Sequence, residues 1–251
     1  MKKTAIILVN LGTPDAPTPK SVRRYLKEFL SDTRVIEIPK LIWQVILTGF
    51  VLTTRPKRVA HAYASIWMDD GSPLLVILKN QAKDLQDLLS QQGIKTPVYP
   101  ATTYGNPSIK SVIEDLLADG VSSLIVLPLF PQYSATSTAA AFDKIAKLLL
   151  HKRELPELHF IKEYHSHPTY IEALAQSVER YWAVHGRADK LLMSFHGIPK
   201  PYADKGDPYP EQCRTTAVLL ADRLGLSINE WAMSFQSRFG AQEWLKPYTD
   251  E

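Results

Sequence analysis

Strand-like apolar runs alternate with amphipathic helical patterns along this chain of 251 residues, and that alternation most limits the folds open to it. Each run is continuously apolar, which is typical of strands buried on both faces. The sequence therefore predicts an α/β protein with parallel sheets flanked by helices. The predicted strands cover residues 4–10, 97–104, 122–130, 158–164, 191–195 and 230–235. The predicted helices cover residues 21–29, 74–92, 108–119, 139–150, 168–185 and 211–224.

A polar segment that contains a proline, residues 151–158, follows the third predicted strand. Such a change of composition is typical of a domain boundary, so we expect one Rossmann-like domain over residues 1–150 and a second over 158–251. The second domain has three predicted strands and then the sequence PYTDE, in which a threonine followed by two acids is typical of a helix start. Because no helix follows, we expect the second domain to be incomplete at its carboxyl end.

Composition argues against several classes of partner and cofactor. The net charge is +3 and the basic residues are scattered among acids, so we expect no nucleic-acid partner. The single cysteine, Cys213, cannot form an internal disulfide or hold an iron–sulfur cluster alone, and it fits a reducing cytoplasm. The first strand–helix turn, Gly12-Thr13-Pro14, has neither a dinucleotide nor a phosphate-loop glycine pattern. We therefore expect no nucleotide cofactor.

The longest apolar window, residues 41–52, is shorter than the roughly 20 residues that a membrane-spanning helix needs. The sequence therefore predicts no membrane-spanning segment. Contact of this window with a membrane surface remains open at this point.

The segment LLMSFHGIP, Leu191–Pro199, predicts a strand that ends at His196 beside a turn. In an extended segment His196 lies on the face opposite Met193 and Phe195. Ligands of open α/β sheets bind beyond the carboxyl ends of the strands. From the residues alone, both a ligand-binding role and a packing role for His196 remain open.

The sequence from Ser194 to Cys213, SFHGIPKPYADKGDPYPEQC, resembles the signature of the ferrochelatases: a strand-end histidine, a short turn, a proline and GDPYxxQ. Residues 234–251 are similar to a second block of that family, and residues 9–17 and 71–74 to its amino-terminal blocks. The resemblance implies two Rossmann-like domains of the chelatase type with a porphyrin site between them. It also implies insertion of ferrous iron into a porphyrin, with protoporphyrin IX as the expected substrate and coproporphyrin, which some bacterial relatives use, left open.

The resemblance also implies the site residues. His196 is the expected catalytic residue and metal ligand, because a neutral imidazole accepts protons and binds Fe(II), and two pyrrole protons must leave as iron enters. Whether it acts as base, ligand or both remains open. Arg55, Tyr63, Ser72 and Trp244 are the expected porphyrin contacts, with a guanidinium suited to a propionate. No cofactor is expected beyond the substrate iron.

One departure from the family leaves an alternative open. The family's second essential group, a glutamate facing the histidine, belongs to a block beyond PYTDE, so no acid of this chain is assigned that role. Two hypotheses follow: an iron-inserting lyase, and a non-catalytic remnant that binds porphyrin or metal. Residues 41–52 fall where the family has an apolar lip, which implies a porphyrin wall, a peripheral membrane contact or both. The oligomeric state is open.

Overall fold

The structure, a computed structural model, describes residues 2–251. The chain divides into two compact units, which are considered separately below. Unit 1 is the chain up to Phe130 together with Ala135–Lys162, and unit 2 is Pro131–Ser134 together with Glu163–Glu251. Strands and helices alternate in both, so the predicted α/β class with parallel sheets flanked by helices is confirmed.

Unit 1 is built on a four-stranded parallel sheet in the order β2-β1-β3-β4. Ile6 of the central strand lies opposite Val98 on one side and Ile125 on the other. The strands are β1 (Thr4–Thr13), β2 (Val98–Gly105), β3 (Ser123–Pro128) and β4 (Glu157–Phe160). The helices are α1 (Pro19–Leu30), α2 (Lys40–Ile46), α3 (Leu52–Ile66), α4 (Pro73–Gln91), α5 (Ile109–Ala118) and α6 (Ala140–Leu149), with π-helical turns at Leu47–Val51 and Ala135–Ala139.

Helices cover both faces of this sheet. Ile7 of β1 packs with Ile113 of α5 and Ile145 of α6, and all three are fully buried. Leu8, the next residue, points to the other face and packs with Leu78 of α4. Successive strand residues are thus both buried, which explains why the runs are continuously apolar.

The pairing of β4 corrects one expectation. Residues 158–164 were expected to form the first strand of the second domain, but β4 pairs with β3, with Ser123 opposite Glu157 and Val126 opposite Phe160. The backbone hydrogen bonds of this strand therefore belong to the sheet of unit 1. The composition of the sequence indicated the polar segment before β4. It carried no information on which strand β4 would pair with.

Unit 2 contains two parallel strands and three helices. Both larger helices pack on the same face of the sheet, where Ala175 and Leu220 contact Met193. The opposite face is open, and Leu192 is 51% exposed. The expectation of burial on both faces is therefore wrong for β5. The elements are β5 (Leu191–His196), β6 (Trp231–Gln236), α7 (Pro168–His185), α8 (Lys200–Asp204) and α9 (Tyr209–Arg223).

The segment expected to start a helix lies along β6 instead. The Phe235 N–H donates to the carbonyl oxygen of Pro247 at 2.8 Å, and the Thr249 N–H donates to that of Phe235 at 3.0 Å. The Thr249 hydroxyl lies 3.0 Å from the Ser194 hydroxyl and 2.8 Å from that of Ser234. The polar atoms of Thr249 are thus bonded to the sheet.

Candidate active site

His196 is the last residue of β5, at the carboxyl end of a parallel strand, as the sequence predicted. The last ladder hydrogen bond runs from the Gly197 N–H to the carbonyl oxygen of Gln236, at 2.8 Å. The ladder cannot continue beyond it, because Pro199 has no N–H to donate. His196 is exposed and lies on the open face of the sheet. Its side chain is therefore accessible at the edge where ligands of α/β proteins bind.

The imidazole of His196 has a defined tautomer in this geometry. Its Nδ1 lies 2.6 Å from the carbonyl oxygen of Gly197. Because a carbonyl oxygen can only accept, Nδ1 carries the proton and the neutral ring keeps its lone pair on Nε2. Nε2 is thus the atom that can accept a proton or bind a metal cation.

Trp244 lies beside His196, with 6.4 Å between the ring centroids. Trp244 is only 6% exposed, and its indole is fixed from two sides. Its Nε1–H donates to the carbonyl oxygen of Phe239 at 2.9 Å, and the Phe239 ring packs 5.1 Å away between centroids. Trp244 therefore forms a fixed apolar wall next to the imidazole.

Arg238 anchors the residues that follow Trp244. Its guanidinium lies 4.0 Å from the centroid of the Tyr248 ring, a cation–π geometry. The same group pairs with Asp250 and with Glu251, each at 3.0 Å. The arginine thus fastens the last residues of the chain to the end of β6.

The GDPYPEQ run, Gly206–Gln212, packs against the end of β5, and its contacts were not predicted from the sequence. The Tyr209 hydroxyl donates to the carbonyl oxygen of His196 at 2.9 Å. One Asp207 oxygen accepts the Tyr209 N–H at 3.1 Å, and the other accepts the Ser134 hydroxyl at 2.9 Å. The run was visible as a motif next to His196, but side chain to backbone contacts of this kind have no spacing rule of their own.

The first turn of α9 also binds the loop Pro131–Ser134 of unit 2. The side-chain oxygen of Gln212 accepts the Tyr133 N–H at 2.6 Å, and its amide nitrogen donates to the Glu163 carboxylate. One turn later, the Thr216 hydroxyl accepts from the Gln132 amide at 2.9 Å. The motif thus holds both the histidine backbone and this loop.

The other expected porphyrin contacts, Arg55, Tyr63 and Ser72, lie in unit 1. Arg55 is exposed on α3, and Tyr63, on the same helix, packs edge-on against Trp67 with 6.2 Å between centroids. Burial raises the pKa of Tyr63. Ser72 is only 1% exposed, and its hydroxyl accepts the Leu75 N–H at 3.3 Å as the N-cap of α4. Contact with a porphyrin stays a prediction for all three.

A shallow cavity of about 220 Å³ lies at the carboxyl edge of the unit 1 sheet. Its walls are part polar and part apolar, and in the polar part Arg24 pairs with Asp15 and Glu28 accepts the Gly105 N–H at 3.1 Å. Burial, with smaller contributions from Tyr63 and Glu28, raises the pKa of the Tyr25 phenol in this wall. Residues 9–17 matched a family block in the sequence, but no cavity residue was assigned a site role, because charged and hydroxyl side chains near strand ends are common.

Cys213 is fully buried in α9, and burial raises the pKa of its thiol to about 12. A thiol that stays protonated is a poor nucleophile, so Cys213 is not a candidate catalytic residue. Within residues 2–251, no cluster of three or more histidine, cysteine or acidic side chains has the geometry of a metal site.

Comparisons with known proteins identify the family of the chain. The family model described as ferrochelatase matches residues 3–251. The chain is 57% identical to the ferrochelatase of Psychrobacter sp. (strain PRwf-1) over 250 residues, which covers 99% of this chain and 74% of that protein.

Two relatives from other bacteria align over 99% and 98% of this chain. The ferrochelatase of Acinetobacter baylyi is 57% identical over 251 residues, and ferrochelatase 1 of Shewanella oneidensis is 55% identical over 247 residues. Each alignment spans 74% of the relative's length. The family model over residues 3–251 and these identities show that the chain belongs to the ferrochelatase family.

Proposed function

We propose that this chain inserts ferrous iron into a porphyrin, with protoporphyrin IX as the substrate. The observation that carries the proposal is the exposed imidazole of His196 at the end of β5, with its lone pair on Nε2 and the indole of Trp244 beside it. Identity of 57% to proteins named ferrochelatase supports this interpretation over that of a non-catalytic remnant.

The reaction exchanges two pyrrole N–H protons for one Fe²⁺ ion and leaves the oxidation state of iron unchanged. Nε2 of His196 accepts a pyrrole proton or binds the incoming ion, because both events use the same lone pair. Since one lone pair cannot do both at once, Nε2 releases an accepted proton to water before it binds the ion. The second pyrrole proton also leaves to water, so two protons are released for each Fe²⁺ inserted.

Three further residues are proposed to contact the porphyrin, and a fourth to act indirectly. Arg55 pairs with a propionate through charge-assisted hydrogen bonds, and the rings of Tyr63 and Trp244 contact the macrocycle. Ser72, whose buried hydroxyl caps α4, acts through the position of that helix start.

The test is to mix the purified chain with protoporphyrin IX and either ferrous iron or zinc, and to follow metalloporphyrin formation by absorbance. We expect catalytic insertion with the free acid and weaker binding of the dimethyl ester, because Arg55 can form an ion pair only with a carboxylate. Porphyrin binding without insertion would support the non-catalytic alternative. Equal affinity for acid and ester would remove the role of Arg55.

We also propose a peripheral membrane contact through the outer apolar patch of residues 41–52. Leu41 is 86% exposed, Val45 is 73% exposed and Phe50 is 64% exposed, whereas Leu47 is fully buried against Leu30. The segment thus has one face in the core and one apolar face in solvent, the arrangement of an interfacial helix. Within residues 2–251, no helix combines the length and apolar character needed to cross a membrane.

The double variant Leu41→Glu/Val45→Glu should reduce binding to vesicles that contain anionic phospholipid by at least about tenfold, because each buried aliphatic side chain contributes roughly 1.5–3 kcal/mol. Co-sedimentation with vesicles measures the bound fraction. Leu150→Glu is the matched control, since Leu150 is 76% exposed but lies outside the patch. Binding by the double variant equal to that of the control would contradict the contact.

We propose that the protein works in the cytoplasm, at the membrane surface that this patch contacts. A buried free thiol in α9 requires no oxidising compartment. Fractionation of cells that express the chain tests the location, and recovery in a periplasmic fraction would contradict it.

A further inference from the structure

The peptide group between His196 and Gly197 is held at both ends. Its carbonyl oxygen accepts the Tyr209 hydroxyl at 2.9 Å, and its N–H donates to the carbonyl oxygen of Gln236 at 2.8 Å. One hydrogen bond at the carbonyl oxygen and one at the N–H together fix the rotation of this peptide group. The backbone from which the imidazole projects is therefore held from α9 and from β6.

The imidazole depends on this backbone, because its Nδ1–H donates to the very next carbonyl, that of Gly197, at 2.6 Å. Gly197 itself has little room to move: a Cβ added there would lie 3.1 Å from the Gln236 carbonyl oxygen and 3.1 Å from an indole carbon of Trp244. If the preceding peptide rotated, the Gly197 carbonyl would turn away from Nδ1. The preference for the Nδ1–H tautomer would then be lost.

We propose that Tyr209 is a positioning residue that keeps the lone pair of His196 on Nε2, and that Asp207 holds Tyr209 in place for this task. The inference rests on the proposed function, since it concerns the atom that would take up protons or iron. Tyr209 acts only through the backbone of His196 and is not itself a catalytic residue.

The contacts of Asp207 fit this task. One of its oxygens accepts the Tyr209 N–H at 3.1 Å, which fixes the start of α9, and the other accepts the Ser134 hydroxyl at 2.9 Å. The Tyr209 phenol is the donor in its 2.9 Å hydrogen bond, because the His196 carbonyl oxygen can only accept.

Tyr209→Phe removes this one hydroxyl and keeps the ring. In the variant we expect the His196 imidazole to populate both neutral tautomers, whereas the unchanged chain populates the Nδ1–H form. Nitrogen-15 NMR of histidine-labelled protein distinguishes the two, and His196→Ala identifies the signal among the seven histidines. Loss of one hydrogen bond predicts a fall of about threefold to tenfold in kcat for metal insertion, with the KM for porphyrin within about twofold.

Tyr181→Phe is the matched control, because Tyr181 is 62% exposed on α7 and loses the same hydroxyl. It should leave the tautomer and kcat unchanged. A folded Tyr209→Phe variant with the tautomer of the unchanged chain would overturn the proposal, as would a lowered kcat without a tautomer change, which would indicate a merely structural role.

If Tyr209→Phe does not fold, Asp207→Asn decides. This isosteric change weakens the acceptor for the Tyr209 N–H, and we expect the same tautomer shift to a smaller degree. An unchanged His196 signal in folded Asp207→Asn would overturn the proposal. The NMR measurement needs no turnover, so a chain that fails to insert iron would contradict the proposed function and leave the positioning role to be decided by the tautomer alone.

Discussion

Replacing His196 with alanine is expected to lower metal insertion by about a hundredfold to ten-thousandfold, the range over which a positioned proton acceptor contributes to catalysis. The fold should survive, because the side chain is exposed and its hydrogen bond goes to the adjacent Gly197. Metalloporphyrin absorbance measures the rate, and thermal melting followed by circular dichroism measures stability.

His151→Ala is the control for this prediction, because it removes an exposed imidazole from the loop after α6. It should retain full activity. If His196→Ala kept more than about a tenth of the activity of the unchanged chain, the loss in barrier terms would be under about 1.4 kcal/mol. A different group would then have to be the base or ligand.

Gly12→Ala is expected to destabilise the protein by about 2–6 kcal/mol, the sum of backbone strain and steric overlap. Gly12 has a φ of +109° near the end of the central strand β1, opposite Tyr104 of β2. A Cβ at this position would overlap the backbone carbonyl group of Tyr104. The end of β2 would have to shift, although Tyr104 is fully buried and donates to Asp32 at 2.9 Å.

Urea unfolding measures this loss, with Gly120→Ala as the control. Gly120 also has a positive φ, +77°, but an added Cβ there would have no neighbour within 4 Å. The control therefore carries the cost of a left-handed conformation alone, roughly 1–2 kcal/mol. Equal destabilisation by both variants would show that the contact with Tyr104 is unimportant.

Helices and strands were predictable from the sequence where a long periodic pattern of apolar residues is bounded by a proline or a glycine. The helix predicted over residues 168–185 is α7 with those bounds, since Pro168 opens it and Gly186 follows it. The region of α2 and α3 was not predicted as helical. Its apolar residues point both ways, with Leu41 exposed and Leu47 buried, so the pattern of one buried stripe is absent.

The site was predictable only in part. The position of His196 followed from a strand that stops at a glycine and a proline, and the structure has it there. Tyr209 was not assigned a role, because its contact joins a side chain to a backbone carbonyl thirteen residues earlier. Such a contact depends on how α9 packs beside β5, and local sequence pattern carries no information about that packing.

Because Cys213 is buried, the rate at which its thiol reacts can measure local opening of unit 2. Cys213 is the only cysteine in the chain. Its side chain belongs to the same buried cluster as Phe235 of β6 and Ile198, which lies two residues after His196. Because the reactive form is the thiolate, an alkylating reagent can modify this residue only when the cluster opens. The rate of labelling would therefore time the local opening of the region that carries His196, separately from unfolding of the sheet in unit 1.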